Sequence, residues 1–199
     1  GPAIIQVPQE ILAEITEINL IEPEKYDRKP ADLSLVSEAA TLLKESARPL
    51  IWAGGGVHTA DASNELLDLA EYLQSPVVST ANGKGAIPDN HPLSLGFAEL
   101  RYPPLNNWIH ERDFIFTVGT RTVFSNELKE RPMIHLDIDP TLMDNNVDSH
   151  LHLTGDAKST LRSLLQILKS ESMHPKTPPY QEIADLLERR FAKENVLEP

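Results

Sequence analysis

The sequence contains no cysteine and is poor in basic side chains. Without cysteine the chain cannot form disulfides, thiolate zinc sites or a cysteine nucleophile, and this composition fits a reducing, cytoplasmic compartment. Lysine and arginine number 18 against 30 aspartate and glutamate residues, so the formal net charge is −12. A nucleic-acid partner is disfavoured, because binding to phosphate backbones calls for a basic patch.

Long apolar segments and several catalytic motifs are also missing. No apolar run approaches the roughly 20 residues that a helix needs to cross a bilayer, and no signal peptide is recognisable. The sequence has no Gly-x-Ser-x-Gly elbow, and the segment 83–85 lacks the flanking glycine and hydroxyl of a Walker-type loop. We therefore expect a globular chain without a membrane partner. It begins with Gly1 rather than methionine, so we also expect sequence upstream.

The most informative segment is RPLIWAGGGV at residues 48–57. Its apolar run is too short for most helices, and Gly54, Gly55 and Gly56 separate it from a polar segment with a helical pattern. This arrangement predicts a buried parallel strand that turns sharply into a helix. Open α/β sheets receive phosphates and nucleotides at such turns.

The ordinary NAD-binding fingerprint is not met here. It requires a third glycine where this chain has Thr59, and an acidic residue after the next strand, where Ser79, Thr80 and Asn82 stand. Two interpretations of the glycines remain open. Their backbone N–H groups hold a phosphate, or they form a tight strand-to-helix turn that only glycine allows.

Apolar patterning predicts alternating strands and helices, and hence a parallel sheet covered on both faces. The segment 3–8 is predicted as a strand, 9–30 as an extended connector, 81–100 as a loop-rich region and 171–179 as a linker. Further strands are predicted over 50–53, 76–80, 114–118, 133–138 and 151–153. Helices are predicted over 32–43, 59–74, 105–112, 157–169 and 180–195. The last helix either begins a following domain or lies on this one.

Polar side chains follow several of these strands. Asp137 is the stronger ligand candidate, because a carboxylate that ends a parallel strand accepts hydrogen bonds from ribose hydroxyls. Asp139 is predicted to cap a short helix. Arg121 either clamps a phosphate or forms a surface ion pair. His150 and His152 share one strand face, but we predict no metal site because a third ligand is missing.

Several motifs, in a fixed order, resemble one known family. They are RPLIWAGGGV at 48–57, NGKGAIPDNHPLSLG at 82–96, VGTR at 118–121, HLDIDP at 135–140 and LTGDA at 153–157. Together they resemble the central domain of thiamine diphosphate-dependent enzymes of the acetolactate synthase type. The opening GPAIIQVP resembles the last strand of the pyrimidine-binding domain in that family. The resemblance extends over about residues 1–170.

This resemblance implies a three-layer, Rossmann-like α/β domain with a six-stranded, mostly parallel sheet and helices on both faces. It implies that residues 1–30 end a pyrimidine-binding domain, 31–170 form the central domain, and 171–199 lead into a pyrophosphate-binding domain. The whole enzyme would be a homodimer or tetramer that decarboxylates 2-oxo acids or joins the resulting carbanion to a second carbonyl. Thiamine diphosphate and magnesium would be held by the two other domains. This chain alone would supply no catalytic residue.

In some members of the family the central domain binds FAD or ADP. The matching candidates here are Gly54, Gly55, Gly56, Leu95, Gly96, Gly119, Arg121, Asp137, Ile138, Asp156 and Ala157. Two departures favour an ADP-type or empty crevice over a flavin site. Residues 97–100 replace a stretch with glycine and methionine, and residues 121–125 replace an Arg-Phe-Asp-Asp-Arg motif. The alternatives are a self-contained nucleotide-binding enzyme, such as an NAD-dependent deacylase, and a structural domain without ligand.

Overall fold

The computed structural model describes residues 4–22, 27–98, 102–122, 131–143, 145–146, 148–170 and 176–194. Within them, six strands pair into one sheet in the order β3-β2-β1-β4-β5-β6, and every pairing is parallel. The strands are β1 (Pro49–Ala53), β2 (Val77–Ser79), β3 (Ser94–Phe97), β4 (Phe114–Val118), β5 (Met133–Asp137) and β6 (Leu151–Thr154). The predicted α/β fold is confirmed, and the described sheet is wholly parallel.

Helices cover both faces of this sheet. They are α1 (Gln9–Leu12), α2 (Leu33–Glu45), α3 (Gly56–Thr59), α4 (Ser63–Leu73), α5 (Pro103–His110), α6 (Ala157–Ser170) and α7 (Tyr180–Glu194). Helices α2 and α4 both pack against α6. The β3-to-β4 connection crosses the sheet in the direction opposite to the β1-to-β2 connection, so the right-handed crossover rule places α5 on the other face. Helix α7 joins α5 there, since Glu182 accepts a 3.1 Å hydrogen bond from Trp108 Nε1.

The core lies where the central strands meet these helices. All five residues of β1, β4 and β5 are buried. Continuous apolar strands of this kind are typical of parallel sheets with both faces covered. Full burial of a side chain such as Leu50 or Phe116 stabilises the fold by about 1.5–3 kcal/mol.

Two predicted helix caps are present. Asp32 Oδ1 accepts a 2.8 Å hydrogen bond from the N–H of Ser34 and so caps α2. Asp139 Oδ1 accepts a 2.9 Å bond from the N–H of Thr141 and caps a 3-10 helix over Pro140–Leu142. In each case a carboxylate satisfies an N–H that has no partner within the helix.

The N-terminal segment differs from the prediction. No strand forms over residues 4–8, and Ile4 and Ile5 are 93% and 85% exposed. The described part of the chain offers this apolar segment no strand to pair with, and an unpaired segment leaves its backbone groups to solvent. The predicted connector also contains the short helix α1, and residues 1–3 lie outside the described residues.

Two further elements also differ. The single helix predicted over 59–74 is divided into α3 and α4, because Asp61 adopts a positive φ of 53° between them. The region predicted as loop contains β3, whose pairing with β2 shifts register between Val77 and Val78.

Helix α7 lies on this domain, with Ile183 only 2% exposed, which agrees with the second of its two predicted placements.

Candidate functional site

A cavity of about 640 Å³ opens at the carboxyl edge of the sheet. The chain leaves β1 toward β2 and leaves β4 toward β5, so the cavity lies at the topological switch point where open α/β sheets bind ligands. Its walls come from the ends of β1, β4, β5 and β6 and from the segment that precedes α2. The lining residues include Asp27, Arg28, Lys29, Pro30, Thr59, Ala60, Leu136, Leu142, Thr154 and Gly155.

Most of the candidates from sequence are brought together here. Those that line the cavity are Gly56, Gly119, Arg121, Asp137, Ile138, Asp156 and Ala157. Gly55 lines an adjoining hollow of about 510 Å³, together with Thr80 and Asn82. The structure does not bring Leu95 and Gly96 to the cavity, because both lie on β3 at the far edge of the sheet.

The glycine turn is a close contact between β1 and β4. Gly54 donates its N–H to Val118 O at 2.8 Å, and Gly56 donates to Gly119 O at 3.0 Å. A Cβ on Gly54 would overlap the carbonyl oxygen of Gly119, and one on Gly56 would lie 2.6 Å from Gly119 Cα. For Gly54 and Gly56 the tight-turn interpretation therefore holds, and their N–H groups are not free for a phosphate. Gly55 N–H has no backbone acceptor among the described residues.

Three carboxylates line the cavity, and two of them, Asp137 and Asp156, lie at or just after the ends of strands of the sheet. Asp137, 9% exposed at the end of β5, accepts the N–H of Asp139 on Oδ1 at 3.0 Å. None of the described residues donates a hydrogen bond to its Oδ2, which can therefore accept one from a ligand hydroxyl. Asp156 is more fully engaged, since its Oδ1 accepts from the N–H and the hydroxyl of Ser159 at 3.0 and 2.9 Å. Asp156 thus caps α6, and Asp137 is the carboxylate better placed for binding.

Sequence reasoning missed one wall of the cavity, the strap segment, residues 27–30. Its Arg28 donates from Nη1 to Ala60 O at 2.8 Å, and that nitrogen lies 3.9 Å from Asp156 Oδ2. A topological signal was present. Helix α2 runs antiparallel to the strand that follows it, so the residues before α2 must lie at the carboxyl edge of the sheet.

A second polar cluster lies near the opposite edge, where β1 and β4 begin. Arg112 is 2% exposed and its guanidinium stacks 3.8 Å above the centroid of the Trp108 ring. Burial and the neighbouring Arg48 charge lower the pKa of Arg112, while Glu182 opposes that shift. Burial raises the pKa of Glu182, but the Trp108 hydrogen bond and both arginines outweigh it, so the net pKa is lowered. Glu182 lies on α7, so its hydrogen bonds with Trp108, Arg112 and Arg48 hold α7 against the domain.

The described residues offer neither a metal centre nor a membrane-spanning helix. Over the described ranges, no group of three or more His, Cys, Asp or Glu side chains is arranged to hold a metal ion. His150 precedes β6, so it does not share a strand face with His152. None of the helices in the described ranges combines the length and apolarity that crossing a membrane requires.

Comparison with known proteins identifies relatives of this domain. The family described as "Thiamine pyrophosphate enzyme, central domain" matches residues 36–164. A Methanocaldococcus jannaschii protein described as "Probable acetolactate synthase large subunit" is 36% identical over 190 residues, which cover 84% of this chain and 31% of that protein. Glyoxylate carboligase of Escherichia coli O157:H7 is 30% identical over 208 residues, covering 96% of this chain and 34% of that protein.

A solved structure supports the fold. It is described as "a putative thiamin diphosphate-dependent enzyme isolated from Mycobacterium smegmatis" and superposes with a TM-score of 0.66 at 20% identity. The superposed region covers 80% of this chain and 32% of the Mycobacterium smegmatis chain. The chain thus spans about a third of the length of the curated relatives it matches. The resemblance inferred from the motifs is confirmed: this chain belongs to the central-domain family of thiamine pyrophosphate enzymes.

Proposed function

We propose that this chain is the nucleotide-binding central domain of a thiamine diphosphate-dependent enzyme. The enzyme would decarboxylate a 2-oxo acid or join the resulting carbanion to a second carbonyl compound. The names of the relatives, acetolactate synthase and glyoxylate carboligase, support this proposal. The observation that carries the nucleotide proposal is the cavity at the switch point, with Asp137 at the end of β5.

The cavity residues fit an adenine nucleotide. A volume of about 640 Å³ lies within the range of small-molecule sites, roughly 300–1,000 Å³. Asp137 is placed to accept hydrogen bonds from ribose hydroxyls, and Ile138 and Leu142 offer apolar surface to a base. Arg121 supplies positive charge for phosphates. Since the sequence departs from the flavin pattern at two places, we propose ADP rather than FAD as the ligand.

Thiamine diphosphate and magnesium do not fit this chain. The resemblance implies that a pyrimidine-binding domain supplies a glutamate that activates the cofactor and that a pyrophosphate-binding domain supplies a Gly-Asp-Gly…Asn motif for magnesium. The described residues of this chain form no metal-binding group. We propose that pyrimidine-binding and pyrophosphate-binding domains of the same polypeptide hold the cofactor, which supplies an electron sink for the carbanion. Residues 1–30 and 171–199 would connect the central domain, 31–170, to them. The fragment alone would be inactive.

Further features of the whole protein are part of the same proposal. We propose a cytoplasmic location, which the cysteine-free composition supports, and a homodimer or tetramer, which the resemblance to the family implies. The family match does not support the alternative of an NAD-dependent deacylase. A structural domain without ligand remains the competing interpretation of the cavity.

The test is an absorbance scan of the purified chain followed by calorimetric titration with ADP and with FAD. Saturable ADP binding by colourless protein is the expected result. A flavin band in near-stoichiometric amount, or binding of FAD but not ADP, would replace ADP by FAD as the ligand. Failure of both to bind would leave the domain a scaffold.

A further inference from the structure

The glycine turn offers a bound phosphate few free N–H donors. Two of its three N–H groups already donate to backbone carbonyls. Gly54 donates to Val118 at the end of β4, and Gly56 donates to Gly119, the next residue. Helix α3, which follows the turn, has only four residues, so its dipole is small. A dianionic ligand group in this cavity needs more positive charge than Arg121 alone supplies, so a second cation is required.

Arg28 is positioned to provide that cation. Its Nη1 donates to the carbonyl of Ala60, which directly follows α3, and Arg28 lines the same cavity as Gly56 of the glycine turn. The side chain is 57% exposed and lines the cavity. A guanidinium carries five N–H donors, and the described residues accept one of them within hydrogen-bond distance. Its pairing with Asp156 is long, at 3.9 Å, so donors remain for a ligand.

The strap segment holds Arg28 in place from the other side. Lys29 O accepts the N–H of Asp156 at 2.9 Å, and the N–H of Ala31 donates to Thr160 Oγ1 at 2.9 Å. A Cβ on Gly155 would overlap the backbone nitrogen of Ala31, so the strap lies directly on the β6–α6 turn. Arg28 therefore extends from a fixed backbone across the cavity, from the α6 side to the α3 side.

We propose that Arg28, together with Arg121, binds the phosphate groups of the ligand, so that the cavity distinguishes nucleotides by their phosphate groups. This inference rests on the proposed nucleotide-binding function. The planar guanidinium forms paired hydrogen bonds with phosphate oxygens, which a lysine ammonium does not reproduce. Arg28 would keep its bond to Ala60 and turn its remaining donors from Asp156 to the ligand. The competing interpretation makes Arg28 a structural staple between the strap segment and Ala60.

The experiment is calorimetric titration of the full 199-residue chain with ADP, AMP and adenosine. The variants are Arg28→Gln and Arg28→Lys. Arg162→Gln is the matched control, since it removes the same charge from α6, where Arg162 pairs with Glu65 at 2.6 Å.

For Arg28→Gln we expect ADP affinity to fall roughly tenfold to a hundredfold, the range for a hydrogen bond to a charged group. Adenosine affinity should stay within about twofold, because adenosine has no phosphate to lose. Arg28→Lys should give a smaller loss for ADP, and Arg162→Gln none.

The outcomes separate this inference from the one on which it rests. ADP binding that is unchanged in Arg28→Gln overturns the role of Arg28 and leaves nucleotide binding intact. Equal losses for ADP and adenosine also overturn it, because a staple that shapes the cavity affects every ligand. If the wild-type chain binds neither ADP nor adenosine, the nucleotide-binding function and this inference both fail. Thermal melting of each variant establishes that the compared proteins are folded, and Arg28→Lys retains the charge if Arg28→Gln does not fold.

Discussion

The backbone of Gly54 lies directly against the carbonyl group of Gly119, with no space for a side chain between them. We predict that Gly54→Ala destabilises the domain by more than about 2 kcal/mol, because the added methyl group forces the β1 and β4 loops apart. Urea denaturation followed by circular dichroism measures the loss.

Gly96→Ala is the control for this prediction. Gly96 has a φ of +67°, and a Cβ added to it would meet no other atom within 4 Å. The substitution should cost only the roughly 1–2 kcal/mol of a left-handed backbone conformation in an L-residue. A greater loss for Gly96→Ala than for Gly54→Ala would show that the contact with Gly119 is not what constrains the turn.

Asp137→Asn should weaken ADP binding about tenfold, since the carboxylate is a stronger acceptor for a ribose hydroxyl than an amide oxygen. Stability should change little, because the amide oxygen still accepts the N–H of Asp139. Calorimetric titration measures the affinity. Asp139→Asn removes a neighbouring carboxylate that faces the 3-10 helix, so it should leave the affinity unchanged. Equal weakening by both variants would point to general electrostatics rather than to a ribose contact.

Ile183→Ala should destabilise the domain by about 2–4 kcal/mol, because the side chain is 2% exposed where α7 packs on the core. Ile15→Ala, the same change at a fully exposed position, should have almost no effect. Chemical denaturation of the chain measures both. If the two variants are equally stable, α7 contributes nothing to this domain and belongs energetically to another unit.

Asp113→Asn tests the response of the fold to acid. Burial raises the pKa of the Asp113 carboxyl, but hydrogen bonds from the Ser46 hydroxyl and from the N–H groups of Ala47 and Arg48 outweigh it and lower the net pKa. These bonds measure 2.5, 2.6 and 2.9 Å. A carboxyl with a lowered folded-state pKa stabilises the protein above its unfolded pKa, about 3.9, and loses this contribution as pH falls through the folded value.

We therefore expect Asp113→Asn to cost about 1 kcal/mol at neutral pH and to lose less stability than wild type on acidification below about pH 4. Denaturation midpoints at a series of pH values measure the difference. Asp68→Asn removes a carboxylate on α4 that makes none of these bonds, and it serves as the control. A wild-type acid dependence retained in full by Asp113→Asn would contradict the assignment.

The central part of the fold could be predicted because its signals are local. Strands β1, β4 and β5 are short apolar runs bounded by turn residues, and Asp32 and Asp139 cap the helices that follow them. Strand β3 gave no such signal. It has four residues and contains Gly96 in a left-handed conformation, and its pairing with β2 is irregular. Its existence depends on the partner strand, so propensity alone did not indicate it.

The candidate site was predictable where it depends on strand ends and unpredictable where distant segments meet. Asp137 and Arg121 follow strands, and parallel strands bring their carboxyl ends to one edge of the sheet. Whether the glycine N–H groups were free depended on the distance between the backbones of Gly54 and Gly119, which the sequence does not encode locally. Arg28 was missed for a similar reason, since its partner Ala60 is 32 residues away.

The bond between Ala31 and Thr160 joins residues 129 positions apart, and it fixes the strap segment that walls the cavity. Contacts of such separation form late, because a long loop must close before they stabilise anything. We expect pulsed hydrogen exchange during refolding to protect β1 and β4 before the N–H of Ala31. During synthesis, a ribosome-bound chain that ends before α6 would have most of its sheet but no closed cavity. Ligand binding would therefore report that the whole domain has been made, and a nucleotide would stabilise only finished copies.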